Sequence, residues 1–174
     1  MLPTQVKRSL WFIGYNYFSL SAKANANPAT ATTGGDANSF SGSGVETGLQ
    51  IGFRLANPLS LVILGKVGLL LADGGKMIPI TGGVGLRLET LGPVTLMAGA
   101  GYNYTLTLSD NGVNGNNPNP SGLELFGGPT VAISTSWRLQ ALVEYGSLSG
   151  SVKKPPTDLS ITLFRLNLGF AVGF

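Results

Sequence analysis

The charged side chains of this sequence are few, and about half of them lie inside hydrophobic segments. Only 11% of the 174 residues are charged, and histidine and cysteine are both absent. Without histidine, serine triads, imidazole acid–base catalysis and histidine metal sites are excluded. Without cysteine, thiol catalysis, disulfides and cysteine-bound zinc or iron are excluded as well. The remaining chemistry is that of carboxylates with lysine and arginine, either as a paired-carboxylate or serine–lysine site or as a network of ion pairs.

Nine charged residues share one feature, which is their place in a pattern with a period of two. In residues 44–55, odd positions are mostly aliphatic or aromatic, whereas even positions have glycine, amide and charged side chains, and the same alternation recurs in seven other segments. This alternation predicts a β-strand with two chemically different faces. In every such segment the charges fall on the glycine-bearing face, and they are Glu46, Arg54, Lys66, Arg87, Glu89, Glu124, Arg138, Glu144 and Arg165.

The pattern predicts eight strands, at 10–20, 44–55, 59–72, 78–89, 94–106, 123–134, 137–148 and 159–174. Tight turns at 57–58, 90–93 and 135–136 alternate with longer polar connections at 23–43, 73–77, 109–122 and 149–158. Each longer connection holds one of the four aspartates. Long loops on one side and short turns on the other describe an all-β, up-and-down antiparallel barrel. Residues 1–174 would form one domain with both termini at the short-turn end.

Two kinds of barrel compete for this pattern, a soluble ligand-binding barrel and a transmembrane barrel. An eight-stranded interior is only just wide enough for side chains. The glycine-rich face fits inside it, and the uninterrupted Leu/Ile/Val/Phe face does not. A solvated outer face would also have more than nine charges. The sequence therefore predicts a transmembrane β-barrel, with apolar residues facing lipid and the nine charges forming a network in the lumen.

On the predicted outer face, tryptophans and tyrosines lie at opposite ends of the strands. Trp11 and Trp137 fall at the short-turn ends of their strands. The tyrosines fall toward the long-loop ends, and they are Tyr15, Tyr17, Tyr102, Tyr104 and Tyr145. Two interfacial girdles of a membrane protein would have this distribution. Ordinary cross-strand aromatic packing is the alternative.

The last two strands allow a prediction of register. In an antiparallel pair of strands, the numbers of directly opposite residues add up to a constant, the index sum. A turn near residues 149–158 sets the index sum of the last two strands at 307 or 309. With a sum of 309, Glu144 lies directly opposite Arg165, and with 307 the two are diagonal neighbours. Because an unpaired charge in a dry lumen is expensive, we expect these two side chains to form an ion pair.

Residues 164–174 alternate between apolar and polar or small side chains and end in phenylalanine. With this segment and the eight-strand pattern, the whole chain resembles the OmpA-type eight-stranded outer-membrane barrels, including the OmpX-like members. The resemblance implies that Phe170 and Phe174 belong to a C-terminal signal read by the barrel-assembly machinery. It also implies an integral outer-membrane protein with periplasmic termini, extracellular long loops and a lumen closed by ion pairs. No soluble domain follows the barrel in this sequence, so tethering to the cell wall is not expected.

The leading functional hypothesis is a structural outer-membrane barrel that supports envelope integrity and displays loops for adhesion or partner recognition. The alternative is a narrow or gated pore for small solutes or ions. We expect no enzymatic activity, because glutamates and arginines inside the barrel are better explained as ion pairs with one another than as a catalytic site. The expected partners are lipid or detergent and, during insertion, the assembly machinery, with the protein itself a monomer.

Three further features resemble functional signals but are better explained without the function. Residues 110–117 have oxygen ligands at turn spacing but no terminal bidentate glutamate, so a loop is favoured over a calcium site. The net charge of +3 is too small and scattered to indicate nucleic-acid binding. Residues 7–13 imitate the start of a signal peptide, but their aromatic content favours a strand. We therefore expect no metal and no cofactor.

Overall fold

The computed structural model of the chain is a closed, antiparallel eight-stranded barrel in which each strand pairs with its sequence neighbours and β1 pairs with β8. It describes residues 9–25, 38–72, 75–108, 119–153 and 156–174. The predicted fold class and strand number are therefore confirmed. The strands are β1 (Ser9–Ala24), β2 (Asn38–Ala56), β3 (Leu59–Ala72), β4 (Gly75–Glu89), β5 (Val94–Leu108), β6 (Ser121–Ala132), β7 (Trp137–Lys153) and β8 (Pro156–Gly173).

The strand stagger can be read from the pairing. Following directly paired residues once around the barrel from Trp11 leads back to β1 at Ser21, so the shear is 10 residues. The intermediate residues are Leu49, Gly65, Gly82, Tyr102, Leu123, Ser147 and Thr162. A stagger of this size tilts the strands by roughly 35–45° and leaves an interior that side chains alone can fill.

The two faces of each strand differ in exposure and not only in composition. On β3, Leu69 is 42% exposed whereas its neighbour Leu70 is 2% exposed. The exposed side chains of the strands are mainly aliphatic and aromatic, whereas the buried ones include both the charged residues and a set of apolar residues. An apolar outer surface around a polar-containing interior is the inverse of a soluble protein and is typical of a membrane barrel. The described residues contain no helix long and apolar enough to cross a membrane.

Glycines serve different purposes on the two faces. A Cβ placed on the inward Gly83 would lie 2.7 Å from the Ala100 carbonyl oxygen and 2.9 Å from the Phe126 ring. The adjacent Gly82 faces outward, and a Cβ there would meet nothing within 4 Å. The inward glycine therefore provides room for the large side chains that fill the narrow lumen.

Two of the four connections predicted as long loops are not loops. Only residues 73–74 separate β3 from β4, and only residues 154–155 separate β7 from β8. Polar residues such as Lys76, Ser149 and Asp158 belong to strands. The prediction failed because polar side chains are compatible with strands that continue past an apolar belt. The other three aspartates and residues 110–117 lie outside the described residues.

Candidate functional site: the charged lumen

Five charged side chains meet in the middle of the lumen. They come from β2, β3, β6, β7 and β8, and all five side chains are 0% exposed. We call this group the central charge cluster, and it consists of Glu46, Lys66, Glu124, Glu144 and Arg165. The alternation of each strand directs these side chains inward, and the stagger of the barrel brings them to a common level.

Arg165 is the hub of the central charge cluster. Its Nη1 lies 3.1 Å from Glu46 Oε2 and its Nε lies 2.8 Å from Glu144 Oε2, while Nη2 is in close contact with Glu124 Oε2. One guanidinium group thus contacts three carboxylates on three other strands. Its planar fork suits this arrangement, because a different nitrogen of the group faces each carboxylate.

Lys66 contacts the same three carboxylates from another side. Its Nζ lies 3.0 Å from Glu124 Oε1 and 3.6 Å from Glu46 Oε1, and it is in close contact with Glu144 Oε1. Three carboxylates therefore share two cations, which gives the central charge cluster a formal charge of −1. No carboxylate of this cluster is accessible to a substrate. The arrangement joins distant strands, and a lone member would be a costly buried charge.

The register of β7 and β8 is the one predicted with the larger index sum. Glu144 lies directly opposite Arg165, and the pairing continues with the sum of 309 from Trp137 to Lys153. The expected contact between these two side chains is confirmed by the distance of 2.8 Å between Arg165 Nε and Glu144 Oε2.

Neutral polar side chains complete the central layer, and the sequence reasoning did not single them out. Asn103 Nδ2 donates to Glu124 Oε2 and to Thr81 Oγ1, both at 3.0 Å. Thr105 Oγ1 donates to Asn103 Oδ1 at 2.8 Å. Asn167 Nδ2 donates to Glu46 Oε1 at 3.4 Å. The signal that could have identified them was available, since each is a polar residue on the same strand face as the charges.

Apolar layers lie on both sides of the central charge cluster. On β3 the inward residues Leu64 and Leu70 flank Lys66, and on β7 the inward residues Leu142 and Leu148 flank Glu144. The layer toward the short turns consists of Leu10, Phe12, Val62, Leu64, Met97, Phe126, Leu142 and Ala171. The layer toward the other end has a buried core of Phe18, Leu70, Leu148, Ile161 and Leu163. The lumen is therefore a sequence of packed layers.

The nine predicted lumen charges do not form one network. Arg87 and Arg138 are buried and Glu89 is half-buried, all at the short-turn ends of their strands, beyond the apolar layer. Arg54 is exposed, which corrects its assignment to the lumen network. It is directly paired with Ser60 near the end of β2, just before the register of β2 against β3 shifts. The side chain is therefore exposed because it lies at the rim of the barrel, beyond the packed part of the lumen.

The seven aromatic residues predicted to form girdles all point outward. Trp11 and Trp137 lie on either side of Val172, each directly paired with it, so the two indoles share one level near the short turns. The five tyrosines are likewise exposed. Tyr102 donates its hydroxyl to Ser121 Oγ at 2.9 Å. Phe170 and Phe174 are also on the outer face.

The cluster offers no metal site. Across the described ranges, no three histidine, cysteine, aspartate or glutamate side chains are arranged to hold a metal ion.

Comparisons with known proteins place the fold among bacterial outer-membrane barrels. No family model matches the chain, and no curated protein matches it. OprG from Pseudomonas aeruginosa is similar with a TM-score of 0.55 and 14% identity, covering 97% of both chains. Neisserial surface protein A is similar with a TM-score of 0.58 and 18% identity, covering 94% of this chain and 97% of the other. AlkL, solved in lipid bilayers, is similar with a TM-score of 0.55 and 12% identity, covering 100% of this chain and 94% of the other. At these identities the likeness shows the fold, an eight-stranded barrel of the outer-membrane type.

Proposed function

We propose that this protein is an integral outer-membrane barrel whose closed lumen serves as a structural core, while its connections on the long-loop side interact with the exterior. The observation that supports this proposal best is the layered filling of the lumen. A fully buried ionic layer lies between two packed apolar layers, and this arrangement favours a closed lumen over an aqueous path.

The proposed topology follows from the two ends of the barrel. The turns at 57–58, 90–93 and 133–136 are short, and the first and last described residues lie beside them, where Phe174 N donates to the Ser9 carbonyl at 3.2 Å. We place this end in the periplasm and the opposite end of the barrel outside the cell. The tryptophans and tyrosines act as interfacial girdles, and Phe170 and Phe174 present the signal to the assembly machinery. The protein is proposed to be a monomeric single-domain barrel without catalytic activity, metal or cofactor.

The proposed role is support of envelope integrity and display of the two long connections for adhesion or partner recognition. It is tested by deleting the protein from its host and measuring survival in detergent and in a large antibiotic. Full-length protein should restore resistance. A variant with residues 109–118 replaced by a Gly-Ser linker should restore resistance but lose adhesion to surfaces or cells. A deletion strain that matches the wild type in both measurements would contradict the proposal.

A gated pore is the second candidate, and one observation favours it. Lys66 and Arg165 contact the same three carboxylates, so partners could exchange without leaving a charge unpaired. Recordings in planar bilayers distinguish the two functions. The closed barrel predicts no steady conductance, whereas a gated pore predicts discrete openings that become more frequent when Arg165 is replaced by methionine.

A further inference from the structure

Two buried hydrogen-bond donors near the short turns lack an acceptor. Arg138 is 5% exposed and Gln140 is 3% exposed. Neither Arg138 Nε nor Gln140 Nε2 has a hydrogen-bond partner in the described part of the chain. The two residues stand two positions apart on β7 and face the lumen together. Because an unsatisfied buried donor is costly, these two donors favour the binding of an acceptor.

Polar side chains of four neighbouring strands form a row beside these donors. Glu89, Thr95, Thr130 and Gln140 are paired in succession, so their side chains line one row of the inner wall. Gln140 is next paired with Gly169, which adds no side chain to the row. Thr95 Oγ1 donates to the Thr130 carbonyl at 3.4 Å, and both threonines are buried. The row therefore has hydroxyl groups beside the donors of Arg138 and Gln140.

The local charge decides which kind of acceptor is favoured. Arg87 and Arg138 repel each other, and Glu89 attracts both of them. Two buried guanidinium groups and one half-buried carboxylate thus lie at this end of the lumen, and these three side chains together have a formal charge of +1. The negative charge of the central charge cluster lies beyond the apolar layer that contains Leu142 and Met97. An anion would satisfy both the donors and the charge, whereas water would satisfy only the donors.

We propose that the short-turn end of the lumen is a binding site for a small oxyanion of the phosphate or sulfate class. Arg138 and Gln140 donate to the anion, Thr130 adds a hydroxyl, and Arg87 adds a second positive charge. Guanidinium groups bind such anions through paired donors. The anion comes from solution rather than from a lipid headgroup, because the site faces the lumen and not the apolar outer belt. This proposal goes beyond the proposed function and does not depend on it.

Binding is measured on the folded protein in a zwitterionic detergent. Inorganic phosphate or sulfate replaces chloride at constant ionic strength, and the thermal midpoint is followed by tryptophan fluorescence. A ligand bound only by the folded state raises the midpoint in a saturable way. Phosphorus NMR line broadening of the added phosphate provides a direct readout. Arg138→Gln should weaken phosphate binding by about tenfold or more. Glu89→Gln should strengthen binding, since it removes a carboxylate that competes with the anion.

Arg54→Gln is the matched control, because Arg54 is an exposed arginine at the same end of the barrel and should leave the response unchanged. If Arg138→Gln fails to fold, Arg138→Lys keeps the charge but removes the Nε donor, and should also weaken binding. The proposal is overturned if wild-type protein shows no saturable response, since water would then occupy the donors. It is also overturned if Arg138→Gln and Arg54→Gln respond alike, or if only vesicles containing phosphatidylglycerol, and not inorganic phosphate, produce the shift.

Discussion

Replacing Arg165 and Glu144 singly and together should reveal the charge balance of the central charge cluster. Arg165→Met removes the group that contacts three buried carboxylates and changes the formal charge of the cluster from −1 to −2. Breaking a buried ion pair in this way costs about 3–5 kcal/mol of unfolding free energy. Glu144→Gln instead brings the cluster to neutrality, and both cations keep the carboxylates of Glu46 and Glu124. Its expected cost is about 1–2 kcal/mol, the loss of charged hydrogen bonds.

The two substitutions should not be additive. In the Arg165→Met background, Glu144 is an uncompensated carboxylate, so Glu144→Gln should be neutral or stabilising there. The coupling energy is expected to be about 1–3 kcal/mol. Unfolding in urea, with the protein in phospholipid vesicles and tryptophan fluorescence as the probe, measures all four states. Arg54→Met serves as the control, because Arg54 is exposed at the rim. An equal cost of Glu144→Gln in both backgrounds would refute the shared cluster.

Three other predictions concern the walls of the barrel. Leu49→Arg, on the outer face, should cost about 2–4 kcal/mol in vesicles, and a loss near zero would show that this face does not contact lipid. Gly82→Ala should leave the thermal midpoint nearly unchanged, whereas Gly83→Ala should lower it, because its Cβ would lie 2.7 Å from the Ala100 carbonyl oxygen; equal effects would contradict the assignment of faces. The chain should fold only with detergent or lipid and migrate anomalously on gels until boiled, because a closed barrel has no free edge; a β-rich monomer in plain buffer would exclude the membrane assignment.

The faces and the register were predictable from the sequence because side chains alternate strictly along a strand. On β2 the alternation around Glu46 and Gln50 assigns every residue to a face, and a one-residue error would reverse them all. The same constraint reduces the pairing of β7 with β8 to two index sums. The contact between Glu144 and Arg165 therefore needed only the parity of the two residues and an approximate turn.

Other features could not be read from residue type. Leu69 and Leu70 are identical side chains on opposite faces, and apolar residues occur both in the lumen layers and on the outer face, so hydrophobicity alone does not distinguish the two faces. Polarity marks where the apolar belt ends rather than where a strand ends, which is why Ser149 was assigned to a loop. The exposure of Arg54 follows from its place at the rim of the barrel, because alternation along a strand assigns a face but not a depth of burial.

Site-directed spin labelling of β2 would determine which face of the strand contacts lipid. The chain has no cysteine, so each single-cysteine variant from residue 45 to 53 gives one defined label position. In phospholipid vesicles, collisions with oxygen, which concentrates in lipid, are compared with collisions with a water-soluble nickel chelate. We expect high oxygen accessibility at odd positions and low accessibility to both reagents at even positions. High nickel accessibility at the odd positions, or the absence of a two-residue period, would contradict a lipid-facing aliphatic surface around a closed lumen.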